Sequence, residues 1–306
     1  MTRGEKRNLL IGLAFVSPWI IGFLAFTLYP VLASVYYSFC DYDVLTKPIW
    51  VGTLNYRDLF TDSVFWKSLY NTFYFAAFVL PLGLVIALLI AVLLNQSLRG
   101  RSVFRAIFFL PSLVPIVASA MVWWWILNGN FGILNYALHW LHIRGPQWLA
   151  DEKWTKPSVI LMTLWGCGNT MVIYLAALQD VPRSLYESAE IDGANPWVKF
   201  RHITIPMISP VIYFNLIMGI IGSLQVFAQS YIMFSGGMLG GAGVATSAGG
   251  PNRSALFYTV YLYQCAFDFH QMGYACAMAW ILFLIILFLT WVATRSTRKL
   301  IFYAGE

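Results

Sequence analysis

The sequence predicts an all-α membrane protein with six transmembrane helices and both termini on the cytoplasmic side. Three observations carry that prediction. The 306 residues are 59% hydrophobic and only 10% charged, against about 25% charged residues in a soluble domain. Six apolar stretches each reach the roughly 20 residues a helix needs to cross a bilayer. Lysine and arginine then divide unevenly between the two sides those stretches define. Arg3, Lys6, Arg7, Arg99, Arg101, Arg105, Arg183, Lys199, Arg201, Arg295, Arg298 and Lys299 fall on one side. Lys47, Arg57, Lys67, Arg144, Lys153, Lys156 and Arg253 fall on the other. The richer side is the cytoplasmic one. The net charge of +6 is explained by this topology, and no basic patch with interleaved aromatics calls for a nucleic-acid partner.

The first span, residues 9–37, follows three basic residues. Its apolar run exceeds the roughly 7–15 residues of a signal-peptide core, so it reads as a retained helix, with a cleaved signal the lesser alternative. The outer loop at 38–68 carries Asp41, Asp43, Lys47, Pro48, Arg57, Asp58 and Asp62, a wet surface with aromatics between. The second span covers 69–94 and the third 103–127. Trp123, Trp124 and Trp125 close the third span as an interfacial aromatic belt. Pro111 and Pro115 fall within it, where each removes a backbone donor and can kink the helix. A second outer loop, 128–157, opens on Asn128-Gly129-Asn130, a turn signal. Beyond it, Trp140, Trp148 and Trp154 read as interface anchors. The fourth span is 158–178, the fifth 207–234 and the sixth 274–294. Between the last two lies a Gly-rich outer loop at about 235–252. By composition it is a flexible linker, with a contact surface for a partner as the equal alternative. No soluble domain interrupts residues 1–306, which read as one membrane domain.

Several chemistries are missing. No Asp, Glu, Lys or Arg lies in the middle of a span, where proton- and ion-driven carriers place them. There is no G-x-x-x-x-G-K-[ST] loop to cradle a nucleotide, so energy for uphill transport must come from another polypeptide. No Ser/His/Asp or Cys/His arrangement suggests a membrane enzyme. Cys40, Cys167, Cys265 and Cys276 contain no C-x-x-C pair, and a Cys40–Cys265 bridge is the minor reading. His139, His142, His202 and His270 do not cluster as a metal site.

Two sets of polar residues remain. Between the fourth and fifth spans, the polar segment at about 183–206 has helical spacing. Ser184 reads as an N-cap, with Glu187 closing a capping box. Asp192-Gly193 ends that helix, because glycine accepts the left-handed conformation at a C-terminus. Asn195 and Pro196 start a second helix, with Trp197 and Phe200 on one face. Within the spans, Asn169 and Thr170 lie in the fourth, and Ser223, Gln225 and Gln229 in the fifth. Gln225 and Gln229 are four apart and so share a helix face. Amides and hydroxyls beside Trp165, Tyr174 and Phe227 suit an uncharged, polyhydroxylated ligand. Such groups also serve as packing glue between helices, a reading that fits Asn215 best.

Glu187, Ala189, Asp192, Gly193, Ala194, Phe200, Ile203 and Pro206 resemble the coupling loop of bacterial ABC importer permeases. Residues 95–105, with Phe108-Phe109-Leu110-Pro111, resemble the second cytoplasmic loop and third span of the carbohydrate-uptake branch, the maltose and glycerol-3-phosphate type. Residues 130–135, 249–252, 267–274 and 300–303 resemble further parts of the same permeases. The resemblance implies a type I ABC importer permease fold in the bacterial inner membrane. It implies a second, different permease, two copies of an ABC ATPase and an extracytoplasmic sugar-binding protein as partners. It implies that Glu187, Ala189, Asp192, Gly193 and Ala194 dock on the ATPase; the polar residues Asn169, Thr170, Ser223, Gln225 and Gln229, which match the family's sugar contacts only loosely, are the expected lining of the substrate path. ATP and magnesium would be used by the partner ATPase, this chain binding no cofactor or metal and having no catalytic residue. Ser188 departs from the commonest alanine of the motif, and the Gly-rich stretch at 236–243 is longer than the pattern leads one to expect.

Overall fold

The computed structural model describes residues 2–96, 99–234 and 249–297. The Gly-rich stretch at 236–243, the tail at 300–303, Arg298 and Lys299 lie outside the described residues. Two compact units make up the chain. One holds the described residues up to Asp62 with Leu262–Leu284, the other Ser63–Tyr261 with the described residues from Ile285 onward.

In the first unit, α1 (Arg3–Phe23) passes through a π-helical turn, Leu24–Leu28, into α2 (Tyr29–Ser38). Pro30 lies in the first turn of α2 and has no N–H to give, and a widened turn accommodates that loss. The loop at 38–62 folds into a hairpin of β1 (Cys40–Asp41) and β2 (Ile49–Trp50), antiparallel with Cys40 opposite Trp50, followed by α3 (Leu54–Thr61). Asn55 donates to the Ser38 and Cys40 carbonyls at 3.0 and 2.9 Å. In the hairpin loop, Asp43 accepts from the backbone N–H and hydroxyl of Thr46 and the N–H of Leu45. These bonds, the Thr46 backbone first, hold its carboxyl below the usual carboxylate range.

The second unit is built on α4 (Ser63–Asn95), a single helix despite Pro81. After it come α5 (Arg101–Leu113) and α6 (Ile116–Ile126). The third span, expected as one helix over 103–127, is instead bent by 98° between these two. Val114 is extended, with ψ 128°, because Pro115 disfavours a helical residue before it. The loop helix α7 (Ile133–Trp140) leads to α8 (Glu152–Trp165) and α9 (Gly168–Gln179), which are bent by 45° at Gly166-Cys167. Next are α10 (Arg183–Ile191), α11 (Pro196–Lys199), a π-helical turn (Phe200–Thr204) and α12 (Ile205–Met207). Then come α13 (Ser209–Leu224), α14 (Ala228–Phe234) and α15 (Tyr258–Tyr263). The last helix, α16 (Met272–Thr297), belongs by its first half to the first unit. There Tyr274 donates to Asp62 at 3.0 Å and Trp280 to Ser34 at 3.2 Å.

Among the described residues, four helical runs are long and apolar enough to cross a bilayer: Gly4–Ser38, Ser63–Asn95, Ser209–Phe234 and Met272–Thr297. The two bent pairs bring the number to six if each is one span. Within the second unit, two apolar clusters sit along α4. One gathers Phe75, Val79, Val159, Met233, Phe234, Leu256 and Phe257. The other gathers Ala87, Ala91, Leu94, Met171, Tyr174, Leu175, Leu178 and Ile208.

Contacts within the second unit place several residues singled out in the sequence. Trp123 packs on the first cluster and meets Trp165 edge-on at 6.0 Å. Trp148 and Trp154 meet at 4.9 Å, and Trp148 donates to Asn135 at 2.7 Å, so that pair is held by protein. At residues 249–252, the described end of the Gly-rich loop, the Gly249, Gly250 and Pro251 carbonyls accept from the Ala255, Arg253 and Ser254 N–H groups, and Asn252 donates to Glu152 at 3.2 Å; the residues that follow are held by side chains. Asn71, 1% exposed, donates to the Arg253 and Leu256 carbonyls at 3.0 Å each and accepts from the Lys156 ammonium at 3.2 Å. Thr155 bonds Ser254, Ser230 donates to Ala255, and Tyr258 donates to Thr72. Side chains of α4, α8 and α14 thus pair with the backbone of Arg253, Ser254, Ala255, Leu256 and Tyr258.

Candidate functional site

The helical hairpin of α10 and α11 takes its shape from local chemistry. Pro182, extended at φ −59° and ψ 128°, is the N-cap of α10. Ser184 is already helical and cannot adopt the extended backbone of a capping residue, so the capping box expected between Ser184 and Glu187 does not form. The other end matches the expectation. Gly193 has φ +78°, Ala194 N–H donates to the Ala189 carbonyl at 2.8 Å, and Gly193 N–H donates to Glu190 at 3.0 Å. This is a Schellman ending. Asn195 then accepts from Val198 N–H at 2.8 Å with Pro196 at the first helical position.

Three contacts brace the hairpin. Lys199 pairs with Glu190 at 2.6 Å. The Tyr186 and Thr204 hydroxyls bond at 2.9 Å. Tyr186 and Ile203 pack on the cluster around Tyr174. With its root fixed, the hairpin presents Glu187, Asp192 and Gly193 to the surface, with Ala189 and Ala194 half-buried behind them. Ile191 is 88% exposed and Trp197 66% exposed at the same tip. Ile191 was not singled out by sequence, because it reads as the buried side of an amphipathic turn. The tip thus carries two bare apolar side chains and two exposed carboxylates.

The second feature is a cavity of about 300 Å³ in the second unit. Phe75, Val79, Leu80, Gly83 and Leu84 of α4 form one wall. Thr163, Leu164, Gly166, Cys167 and Thr170 line it at the α8–α9 bend, and Asn215, Met218, Gly219, Gly222, Ser223, Val226 and Gln229 from α13 to α14. The helix break at each of these places turns polar groups inward. Of the five expected path residues, Thr170, Ser223 and Gln229 line the cavity, while Asn169 and Gln225 do not and are exposed. Gln225 and Gln229 fail to share a helix face because the helix ends at Leu224 and resumes at Ala228. Thr163, not singled out in the sequence, also lines the cavity, as does Asn215, for which packing between helices was the favoured reading. Their donors, and that of Ser223, are spent on their own helices, on Val159, Val211 and Ile220. Among the described residues Thr170 and Gln229 have no protein hydrogen-bond partner, so their groups are available to a ligand. No carboxylate, ammonium or guanidinium lines the cavity.

Residues 69–302 match the family described as binding-protein-dependent transport system inner membrane component. The chain is 37% identical over 307 residues to the probable ABC transporter permease protein YesP of Bacillus subtilis (strain 168), covering 100% of this chain and 96% of that one. It is 34% identical over 294 residues to the lactose transport system permease protein LacF of Rhizobium radiobacter, covering 94% of each. A chain of a bacterial alginate ABC transporter, solved in complex with an alginate pentasaccharide-bound periplasmic protein, superposes with a TM-score of 0.80. It is 24% identical, and the match covers 97% of this chain and 96% of that one. That likeness shows a shared fold. The chain therefore belongs to the family of inner-membrane components of binding-protein-dependent transport systems, as a multi-pass permease of an ABC importer.

Proposed function

We propose that this chain is one of two different permeases in an ATP-driven carbohydrate importer. In this reading it spans the membrane six times as a single domain, with both termini in the cytoplasm. Each bent pair is one span. The hairpin at 183–206 docks on one of two ATPase subunits, which use the ATP and magnesium, and Glu187, Ala189, Asp192, Gly193 and Ala194 form the contact. An extracytoplasmic binding protein delivers the sugar. Alternating access moves the cavity from one side to the other, with Thr170, Ser223 and Gln229 meeting the substrate.

One observation supports this most strongly: the hairpin is rigid, bare at its tip, and rooted in the cluster that packs the helices of the cavity. The cavity's lining is neutral, with hydroxyl and amide groups beside Phe75, which suits an uncharged polyhydroxylated solute. The relatives are named for lactose, for starch degradation products and for arabinooligosaccharides, which supports sugars as the solute class.

Co-expression with its chromosomal neighbours, followed by native mass spectrometry of the purified complex, tests the assembly. The expected mass fits this chain, one other permease and two ATPase copies. A chain that purifies only with itself would overturn this reading in favour of a stand-alone carrier. Stimulation of ATP hydrolysis by candidate binding proteins loaded with single sugars then identifies the solute.

A further inference from the structure

We propose that Arg253 is a fixed anchor for a carboxylate on the sugar-loaded binding protein, an inference that rests on the importer reading above and on its outer side. Arg253 stands at φ +58°, directly after Asn252 at φ +49°. Asparagine enters the left-handed region readily and arginine does not. Such strain persists only where the surroundings over-determine the backbone, and here they do. Arg253 N–H donates to the Gly250 carbonyl at 3.1 Å. The Arg253 carbonyl accepts from Leu256 N–H at 3.2 Å and from Asn71 at 3.0 Å. The next three residues, Ser254, Ala255 and Leu256, are at most 1% exposed. The side chain of Arg253, by contrast, is exposed, and among the described residues its guanidinium makes no hydrogen bond or ion pair. The fold thus holds an arginine out to solvent from a backbone clamped into the core. Only its side chain has to be ordered on docking, which keeps the entropy cost low, and arginine is among the residues that anchor protein interfaces.

The charges around it say what it meets. Glu152 accepts from Asn252 at 3.2 Å and pairs with Lys67 at 3.9 Å. One turn further along α8, Lys156 donates to the Ser254 carbonyl at 3.3 Å. Lys67, Lys156 and Arg253 therefore gather around the single carboxylate of Glu152. In the proposed topology this is the outer side, from which topology otherwise keeps Lys and Arg, so the cluster has a reason other than orientation. A mixed surface of this kind suits a protein, which can set a carboxylate on Arg253 and a cation beside Glu152. A lipid phosphate would be repelled by Glu152. A sugar carboxylate would find no cation in the cavity beyond.

The test follows ATP hydrolysis by the full complex in phosphatidylcholine liposomes, titrated with the sugar-loaded binding protein encoded beside it, at low and at high salt. In the wild type the half-stimulating concentration should rise several-fold with salt, as screening of a contact between charges implies. Arg253→Glu is expected to raise it about tenfold at low salt and to flatten the salt dependence. Arg253→Lys, which keeps the charge, should fall between. Reversing one carboxylate on the binding protein to lysine should restore stimulation of Arg253→Glu. Arg253→Gly removes the strain together with the side chain, so it should raise the half-stimulating concentration while the melting temperature of the complex holds. An unchanged half-stimulating concentration in Arg253→Glu overturns the proposal. So does a melting temperature several degrees lower in Arg253→Gly, since the side chain would then be structural. An effect of Arg253→Glu that appears only when phosphatidylglycerol replaces phosphatidylcholine overturns it as well, since a lipid would then be the ligand. A wild-type complex that no binding protein stimulates overturns the importer reading itself, which separates the two failures.

Discussion

Replacing Gly193 separates the shape of the hairpin from its chemistry. Gly193 stands at φ +78° with open space where a Cβ would go, so alanine meets no clash and the whole cost is backbone. A non-glycine residue in the left-handed region costs roughly 1–2 kcal/mol. The Schellman ending returns about 1 kcal/mol for each of its two hydrogen bonds, and a nine-residue helix such as α10 has no stability of its own in water. The penalty thus matches what the motif contributes, and the tip should fray. Gly193→Ala is expected to lower sugar uptake and binding-protein-stimulated ATP hydrolysis by about 5- to 30-fold, the ratio 1–2 kcal/mol represents. Gly193→Asn, though bulkier, tolerates the left-handed conformation and should stay within about threefold of wild type. The assay is uptake and hydrolysis in proteoliposomes, with insertion and assembly checked by gel filtration of the complex. Wild-type transport in Gly193→Ala would refute the argument. So would Gly193→Asn as damaged as Gly193→Ala, since the side chain rather than the turn would then be at fault.

Three other outcomes are expected. Asn71→Ala removes the hydrogen bonds to the Arg253 and Leu256 carbonyls and from Lys156, while Lys156 keeps Ser254 and Arg253 keeps the Leu256 N–H; at about 1 kcal/mol for each bond lost it should lower the melting temperature of the purified complex by a few degrees. In an uptake series, Gln229→Ala and Thr170→Val should raise the half-saturating sugar concentration by about 5- to 10-fold, the loss of roughly one hydrogen bond each. Gln225→Ala, outside the cavity, should leave it unchanged, and the reverse ranking would return the path to the helix face read from sequence. Asp43, whose folded-state carboxyl is held low by Thr46 and Leu45, adds stability that is present above the usual carboxylate range, near pH 4. That contribution is lost as pH falls through its lower folded value. The difference in melting temperature between wild type and Asp43→Asn should therefore shrink on acidification below pH 4, and a difference that grows there would contradict the bonding seen.

What could be read from sequence was what is local. A 20-residue apolar run needs no partner to be recognised, and Gly193, Asn195 and Pro196 impose their turn on neighbours two or three residues away. Pro115 signalled a break but not its 98° angle, which depends on what the two halves pack against. The misreadings all trace to distant partners or to a neighbour that acted first. Pro182 set the start of α10 before Ser184 could cap it. The break at 225–227 has no proline or glycine to announce it; there the Val226 carbonyl accepts the Thr259 hydroxyl, 33 residues away. The residues just after the Gly-rich stretch look like more of a loop, yet Asn71 holds the Arg253 and Leu256 carbonyls from nearly two hundred residues earlier in the chain.

The hairpin and the cavity share a route, which gives the proposed coupling a physical form. Thr170, in the first turn of α9, lines the cavity. Nine further residues of α9, about 14 Å, then lead to Asp180 and through Pro182 into α10. On the return side, Ile208 is buried in the cluster around Tyr174, and α13 carries Asn215 and Ser223 back to the cavity. Both limbs that leave the hairpin therefore end in cavity-lining residues, and the cluster of Met171, Tyr174, Leu175, Leu178 and Ile208 ties them together between. Densely packed apolar side chains transmit displacement rather than absorb it. The 45° bend at Gly166-Cys167 and the break at 225–227 lie at the far ends of these limbs, where backbone is not committed to a continuous helix. A displacement delivered at the hairpin would then be expressed at those two breaks, the places where Thr170 and Gln229 face the cavity.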